Sequence, residues 1–115
     1  MIIARKYHFD AAHHLPDYPG DCRRLHGHTW TLTVKIIGIP RLEDGMVLDF
    51  KKLNLIVQDI LSDLDHHNLD NVITNPTCEN LATLIYARLE DRLPDNLRVY
   101  QVILQEGEGG WVEYP

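Results

Sequence analysis

The stretch HTWTLTVKII, residues 28–37, gives the clearest secondary-structure signal in the sequence. Its apolar residues alternate with threonines and a lysine, and this period-two pattern, rich in β-branched side chains, is typical of a strand with one buried face. Outward from it, the chain has extended character in three more segments, at residues 2–11, 98–106 and 111–114. We therefore predict four strands.

Two segments between the second and third predicted strands have helical periodicity. Asp49 is a candidate N-cap for a helix over residues 50–64, and Thr77 for a second helix that ends near Leu93. The order β-β-α-α-β-β predicts an α+β fold, an antiparallel four-stranded sheet with two helices on one face. The buried face of the second helix is predicted to contain Leu81, Leu84, Ile85 and Leu89.

Length, charge and hydropathy limit the classes of protein to which the chain can belong. A chain of 115 residues is long enough for one domain and too short for two independent cores, so we expect a single domain over residues 1–115. The formal net charge of −6 argues against nonspecific nucleic-acid binding, which needs a basic surface. We expect no membrane span, because no apolar run reaches about 18 residues, and a cytoplasmic location, because the N-terminus does not resemble a secretory signal.

A four-stranded sheet leaves two edge strands without partners. Such edges are often covered by pairing with another copy of the chain, so we expect a homo-oligomer. The two cysteines, Cys22 and Cys78, are expected to be free thiols, since a reducing compartment and a core of ordinary size make a disulfide unnecessary.

The pair His26 and His28 flanks Gly27 at the start of the most clearly predicted strand. Side chains at positions i and i+2 of a strand project from the same face, so both imidazoles can point at one metal ion. A third imidazole from the end of the first strand, His13 or His14, would complete the three-histidine set of a catalytic zinc with one open position. The alternative is a pair of partly exposed surface histidines.

Cys22 lies four residues before His26, and its spacing allows two roles. It is either a fourth zinc ligand, which would make the site structural, or a catalytic thiol beside the metal. The first possibility describes a non-catalytic zinc-stabilised module.

Three further side chains are candidates for proton chemistry or ligand binding. His66 could act as a general acid or base oriented by Asp65, provided that the chain has left the helix there; the alternative is a histidine that interacts with the helix dipole. Glu106 has the parity of Tyr100, Val102 and Leu104 on the third predicted strand, so we expect it on an otherwise apolar face. A carboxylate in that position could accept two N–H groups from a guanidine-like ligand edge or extend into solvent.

The motifs FDAAHHLP, CRRLHGH, MVLDF, LDHHNLD, NPTCEN and LQEGEGG, taken together, resemble the 6-pyruvoyl-tetrahydropterin synthase family. The resemblance runs from about Phe9 to Glu106. The three residues between Cys22 and the HGH motif make the chain most similar to the branch of 6-carboxy-5,6,7,8-tetrahydropterin synthases of the 7-deazaguanine (queuosine) pathway.

The resemblance implies a role for each residue that matches a family motif. It implies one Zn²⁺ per subunit on His13, His26 and His28. It implies a catalytic trio of Cys22, Asp65 and His66, and pterin binding by Glu106 and by the segment that contains Thr77. The chain departs from the family at Cys78, where Ser or Thr is usual, and at Gly107, where Thr is common.

The implied activity is that of a carbon-carbon lyase acting on 7,8-dihydroneopterin triphosphate, which yields 6-carboxy-5,6,7,8-tetrahydropterin and releases acetaldehyde and triphosphate. The alternative within the family is the pyruvoyl-forming reaction, in which only triphosphate leaves. The implied fold is a tunnelling fold whose trimers close their sheets into a twelve-stranded barrel. Two trimers would stack into a homohexamer, with active sites between subunits.

Overall fold

A computed structural model describes residues 1–115 as an antiparallel four-stranded sheet with two helices. The strands lie side by side in the order in which they occur in the sequence. The α+β fold class and the order β-β-α-α-β-β are therefore as predicted. The elements are β1 (Ile2–His13), β2 (His26–Ile37), α1 (Phe50–Ser62), α2 (Cys78–Arg92), β3 (Arg98–Glu106) and β4 (Gly110–Tyr114).

The first two strands are longer than their sequence patterns predict. β1 continues to His13 and β2 already begins at His26, because the two strands pair along their full length up to the His13–His26 pair. Conversely, α1 ends at Ser62, before the predicted end at residue 64. The extended pairing between β1 and β2 carries the histidine motifs to one end of the sheet.

Both predicted helix caps are present. The Asp49 side chain accepts a hydrogen bond from the Lys51 amide at 2.8 Å, and Thr77 Oγ1 accepts one from the Asn80 amide at 3.1 Å. Each cap satisfies an amide that has no partner within its helix.

The core lies between the sheet and the helices, and Trp30, Leu32 and Val34 of β2 are fully buried in it. The prediction that Leu84 is buried on α2 is wrong, because Leu84 is only half-buried and Ala82 occupies the buried position. None of the helices is long and apolar enough to cross a membrane.

Strand β3 changes register once against β2. The pairing shifts between Lys35 and Ile36, which lie opposite Gln101 and Val99 respectively. The intervening residue, Tyr100, is therefore displaced from the inner face and is 47% exposed. The prediction that Tyr100 shares a face with Glu106 is wrong for this reason, since an extra residue on one strand inverts the alternation beyond it.

Candidate metal centre and active site

Strand pairing brings three histidines together at one end of the sheet. His13 lies directly opposite His26 across the β1–β2 ladder, and His28 follows two residues later on the same face. Each of the three offers a ring nitrogen, and these nitrogens all lie within 4.8 Å of one another. The structure thus forms the three-histidine cluster that the sequence predicted.

Backbone carbonyls orient two of these imidazoles. His13 Nδ1 lies 2.8 Å from the Pro76 carbonyl oxygen, and His26 Nδ1 lies 2.7 Å from that of Arg24. A carbonyl can only accept, so Nδ1–H donates in both cases, and Nε2 of a neutral ring then presents a lone pair. His26 Nε2 is buried without a hydrogen-bond partner, which fits a metal ion as its partner.

His14 is held outside this cluster. Its Nδ1 pairs with the carboxylate of Asp70, and its backbone amide lies 3.3 Å from the other oxygen of the same carboxylate. Of the two histidines that strand geometry left open as the third ligand, the structure brings His13, the one that the family resemblance implied, to His26 and His28.

Glu106 reaches the cluster from β3, where it pairs with Trp30. Its Oε1 lies 2.9 Å from His13 Nε2 and 3.3 Å from His28 Nε2. The hydrogen bond from His13 lowers the pKa of Glu106 in spite of partial burial, so the carboxylate is negative at neutral pH.

Burial and the Glu106 carboxylate act in opposite directions on the histidines. Burial lowers the pKa of His13, but hydrogen bonds to Glu106 and to the Pro76 carbonyl more than offset it, and the net pKa is raised. At His28 burial outweighs the same carboxylate, and the net pKa is lowered. The neutral form of His28, which is the form that binds metals, is thereby favoured.

Cys22 does not join the histidine group. It lies in a single 3-10 turn, Asp21–Arg23, where it is half-exposed. Its carbonyl accepts a hydrogen bond from the Leu15 amide at 2.7 Å, and this bond ties the turn to the chain that follows β1. In this arrangement Cys22 is not a fourth ligand.

Asp65 and His66 form a pair close to the end of β1. His66 Nδ1 lies 3.0 Å from Asp65 Oδ1. The chain has left α1 at this point, since His66 has a φ of 58°. This departure from helical geometry allows the two adjacent side chains to meet, which is the condition for Asp65 to orient His66.

Sequence reasoning missed Asp10, which holds this pair in place. The Asp10 amide donates to Asp65 Oδ1 at 2.9 Å, and the Asp10 carbonyl accepts from the His66 amide at 2.6 Å. The hydrogen bond from the Asp10 amide lowers the pKa of Asp65, and the hydrogen bond with His66 lowers it further. The Asp10 side chain itself accepts from Thr29 Oγ1 at 2.5 Å. No local pattern marks Asp10, because its partner Asp65 lies 55 residues away in the chain.

Two depressions flank the histidine cluster. One, of about 400 Å³, is lined by His13, Thr77 and Glu106 together with Cys78 and Trp111. The other is an open groove of about 560 Å³. Among its lining residues are Asp10, His28 and His66. The candidate metal centre therefore lies between a cavity lined by Glu106 and a groove lined by His66.

Of the two departures from the family motifs, Cys78 lines the cavity that contains Glu106, and Gly107 lies close to His28. Cys78 Sγ donates to the Leu104 carbonyl at 3.2 Å, and burial raises the pKa of the thiol to about 12. Gly107 has a φ of 63°, in the left-handed region that glycine adopts without strain. A side chain there would begin 3.9 Å from His28 Nδ1.

Fold and site together define a small α+β protein with a candidate metal centre between a cavity and a groove. A sequence model described as 6-pyruvoyl tetrahydropterin synthase matches residues 2–115. Because that match spans nearly the whole chain, the chain belongs to the 6-pyruvoyl tetrahydropterin synthase family.

Individual relatives agree with the family match. A protein of Pyrococcus furiosus named dihydroneopterin monophosphate aldolase is 38% identical over 105 residues, which cover 91% of this chain and 89% of that protein. A Synechocystis protein named 6-carboxy-5,6,7,8-tetrahydropterin synthase is 36% identical over 110 residues, with 89% and 84% covered. The structure of Caenorhabditis elegans 6-pyruvoyl tetrahydropterin synthase matches with a TM-score of 0.88 at 28% identity, over 99% of this chain and 94% of that one.

Proposed function

We propose that this protein converts 7,8-dihydroneopterin triphosphate to 6-carboxy-5,6,7,8-tetrahydropterin, with release of acetaldehyde and triphosphate. The observation that carries the proposal is the cluster of His13, His26 and His28, in which the buried His26 Nε2 lacks a partner. The Synechocystis relative bears the name of this activity and covers most of the chain.

The three histidines would hold one Zn²⁺ per subunit, because neutral imidazoles are ordinary zinc ligands and three of them leave one position open. Zinc bound there would supply Lewis acidity to the side-chain hydroxyls of the substrate. The buried position of His13 and the fixed orientation of His26 would keep this site rigid.

The pterin ring would occupy the cavity beside His13. The ionised Glu106 carboxylate can accept two N–H groups from the 2-amino and ring N–H edge of a pterin. Thr77, the N-cap of α2, lies on the same cavity wall, so the segment around it could make backbone contacts to the ring. The cavity is large enough for a bicyclic ring at about 400 Å³.

Two groups would transfer protons, the Asp65–His66 pair and the Cys22 thiol. Asp65 and His66 would serve the hydroxyl that becomes a carbonyl, with Asp65 orienting the His66 ring. Cys22 would move protons at the side-chain carbon next to the ring. Its turn is tied to Leu15, which lines the ring cavity, and this supports the placement of the thiol near the substrate.

We propose that the chain acts as one catalytic domain in a homohexamer, a dimer of trimers with active sites between subunits. The open edges of β1 and β4 support such pairing between copies. The unpaired state of both cysteines agrees with a cytoplasmic location.

The experiment is incubation of the zinc-loaded protein with 7,8-dihydroneopterin triphosphate, with the pterin and small products identified by mass spectrometry. The expected products are 6-carboxytetrahydropterin, acetaldehyde and triphosphate. Release of triphosphate with retention of a pyruvoyl side chain would assign the alternative synthase reaction instead. No conversion of the substrate would refute the proposal.

A second candidate function is favoured by the relative of Pyrococcus furiosus, which is named an aldolase for dihydroneopterin monophosphate. Both activities would use the same ring cavity and histidine cluster and would differ in the phosphate group of the substrate. Parallel incubation with dihydroneopterin monophosphate separates them. Turnover that is faster by tenfold or more on the monophosphate would assign the aldolase activity.

A further inference from the structure

The face of the sheet that points away from the core contains a third depression, of about 410 Å³. Residues from all four strands line it, and none of them is acidic. Its polar and aromatic lining consists of Lys6 on β1, Thr31, Thr33 and Lys35 on β2, Gln105 on β3, and Trp111 on β4. In a chain whose formal net charge is −6, this depression is a locally positive surface.

The two lysines lie close together on adjacent strands. Lys6 is opposite Thr33 in the β1–β2 ladder, and Lys35 follows Thr33 by two residues on the same face. Diagonal neighbours of this kind are about 7–8 Å apart, so two long side chains can reach one ligand group. Lys35 Nζ donates to a neutral acceptor, Gln101 Oε1, at 2.9 Å. Four of the arginines pair with carboxylates, but neither lysine does, and their charges are left for an anion to compensate.

Trp111 lies at the other side of the depression. It pairs with Gln105 across the β3–β4 ladder and is 60% exposed. An exposed indole is a surface on which a planar heterocycle can stack. Because β1 and β4 are three strand spacings apart, about 14 Å, a ligand that contacts both the lysines and the indole must be extended.

Two acidic side chains lie on this face of the strands, and both have hydrogen-bond partners. Glu113 Oε2 accepts from Trp111 Nε1 at 3.2 Å, a contact that also orients the indole. Asp10 accepts from Thr29 Oγ1 at 2.5 Å. Neither carboxylate lines the depression. The negative charge on the rest of the chain disfavours a long nucleic-acid strand, so the depression suits a small anion that touches only its lining.

We propose that this face of the sheet binds a nucleoside polyphosphate, whose base stacks on Trp111 and whose phosphates contact Lys6 and Lys35. Lysine ammonium groups are ordinary partners of phosphate, and the hydroxyls of Thr31 and Thr33 can donate to phosphate or ribose oxygens between the two ends. The site is separate from the proposed reaction, because neither lysine lines the cavity or the groove beside the histidine cluster.

Equilibrium dialysis of the zinc-loaded protein against ATP tests the two lysines. Lys6→Ala and Lys35→Ala should each weaken ATP binding about tenfold, as expected for the loss of a charged hydrogen bond. Lys52→Ala is the matched control, because it removes a lysine from an exposed position on α1, and it should bind ATP as wild type does. ATP bound in the cavity beside His13 would be insensitive to both lysines, and that result would overturn the proposal.

The indole is tested with a second pair of variants and a second probe. Trp111→Ala should weaken ATP binding about tenfold, within the range of base stacking on an aromatic side chain, and Trp111→Phe should recover part of the loss. Inorganic triphosphate, which has no base, should bind wild type about tenfold more weakly than ATP does. It should bind Trp111→Ala as tightly as wild type.

Three further outcomes would overturn the proposal. They are the absence of saturable ATP binding, equal affinities of wild type for ATP and inorganic triphosphate, and a loss in Lys52→Ala as large as that in Lys35→Ala. Circular dichroism and light scattering check that each variant keeps its fold and assembly. No turnover is measured, so the result is independent of the proposed reaction.

Discussion

Two backbone carbonyls set the direction of the buried imidazoles. Asn75 has a φ of 54°, a left-handed conformation that asparagine tolerates, and it immediately precedes Pro76, whose carbonyl accepts from His13. The Arg24 carbonyl does the same for His26. The metal-facing nitrogens are thus oriented by the main chain.

The first prediction concerns zinc binding. His26→Ala and His28→Ala should each reduce bound zinc far below one per chain, because two imidazoles do not complete the set of a stable zinc site. His14→Ala is the matched control and should keep its zinc, since the His14 ring pairs with Asp70. Metal analysis of dialysed protein measures this. Full zinc in either of the first two variants would contradict the site.

The second prediction is that the two cysteines differ in their reactivity towards iodoacetamide. A pKa of about 12 leaves Cys78 about one part in 10⁴ thiolate at pH 8, so iodoacetamide should not alkylate it. Cys22 lies half-exposed on its turn and should be alkylated, with loss of turnover. Peptide mass spectrometry after timed labelling identifies the modified residue. Bound substrate should protect Cys22 if the thiol lies at the active site.

The matching substitution distinguishes a catalytic thiol from a structural ligand. Cys22→Ala should keep its zinc and its thermal stability but lose turnover by about 10²- to 10⁴-fold, the usual contribution of general acid-base catalysis. Simultaneous loss of zinc and stability would instead favour the zinc-stabilised module, because structural zinc binding is coupled to folding.

At the scale of elements, the turn that follows β2 depends on the close approach of Gly38 to the side chains of Leu97 and Val47. The Gly38 amide donates to the Met1 carbonyl at 3.0 Å. A methyl group on Gly38 would lie 2.4 Å from a Leu97 side-chain carbon and 2.9 Å from one of Val47. Gly38 therefore lets the turn after β2 close over the core.

The third prediction follows from that contact. Gly38→Ala should lower the free energy of unfolding by about 1–3 kcal/mol, the usual cost of overpacking a closed site. Gly109→Ala is the control, because a methyl group at Gly109 would meet no atom within 4 Å and the backbone there lies outside the left-handed region. Urea unfolding followed by circular dichroism compares them. Equal stability of the two variants would mean that Leu97 and Val47 move aside without cost.

At the scale of the whole molecule, the single chain is more extended than its length suggests. Its radius of gyration is 15.2 Å, against about 13 Å for a compact domain of this size. Its extents of 54 × 22 × 22 Å reflect the long β1–β2 hairpin. Large apolar side chains are also exposed, among them Ile39 at 83% and Leu42 at 103%.

The fourth prediction is that the protein is a trimer or a hexamer in solution. Edge strands β1 and β4 have unsatisfied backbone groups that pairing with another copy would cover. Light scattering at micromolar concentration should give a mass of three or six times 13.3 kDa. A monomer would contradict the prediction and the placement of active sites between subunits.

The sequence alone predicted the features that depend on neighbours along the chain. Alternation in residues 28–37 predicted β2, and the same alternation placed His26 and His28 on one face. Asp49 and Thr77 were predicted as caps because a cap acts on amides two or three residues away. Periodicity and capping are local, so local composition is enough to determine them.

The tertiary structure decided what depends on register between distant segments. Strand alternation left His13 and His14 open, and the β1–β2 pairing brings His13 opposite His26, in agreement with the family resemblance. A register shift removed Tyr100 from the face of Glu106. Packing of the loop after α1 against β1 brought Asp10 to Asp65, which lies 55 residues further on. Cross-strand contacts of this kind depend on how whole elements pack, and the buried core fixes that packing only when all of its residues are assembled together.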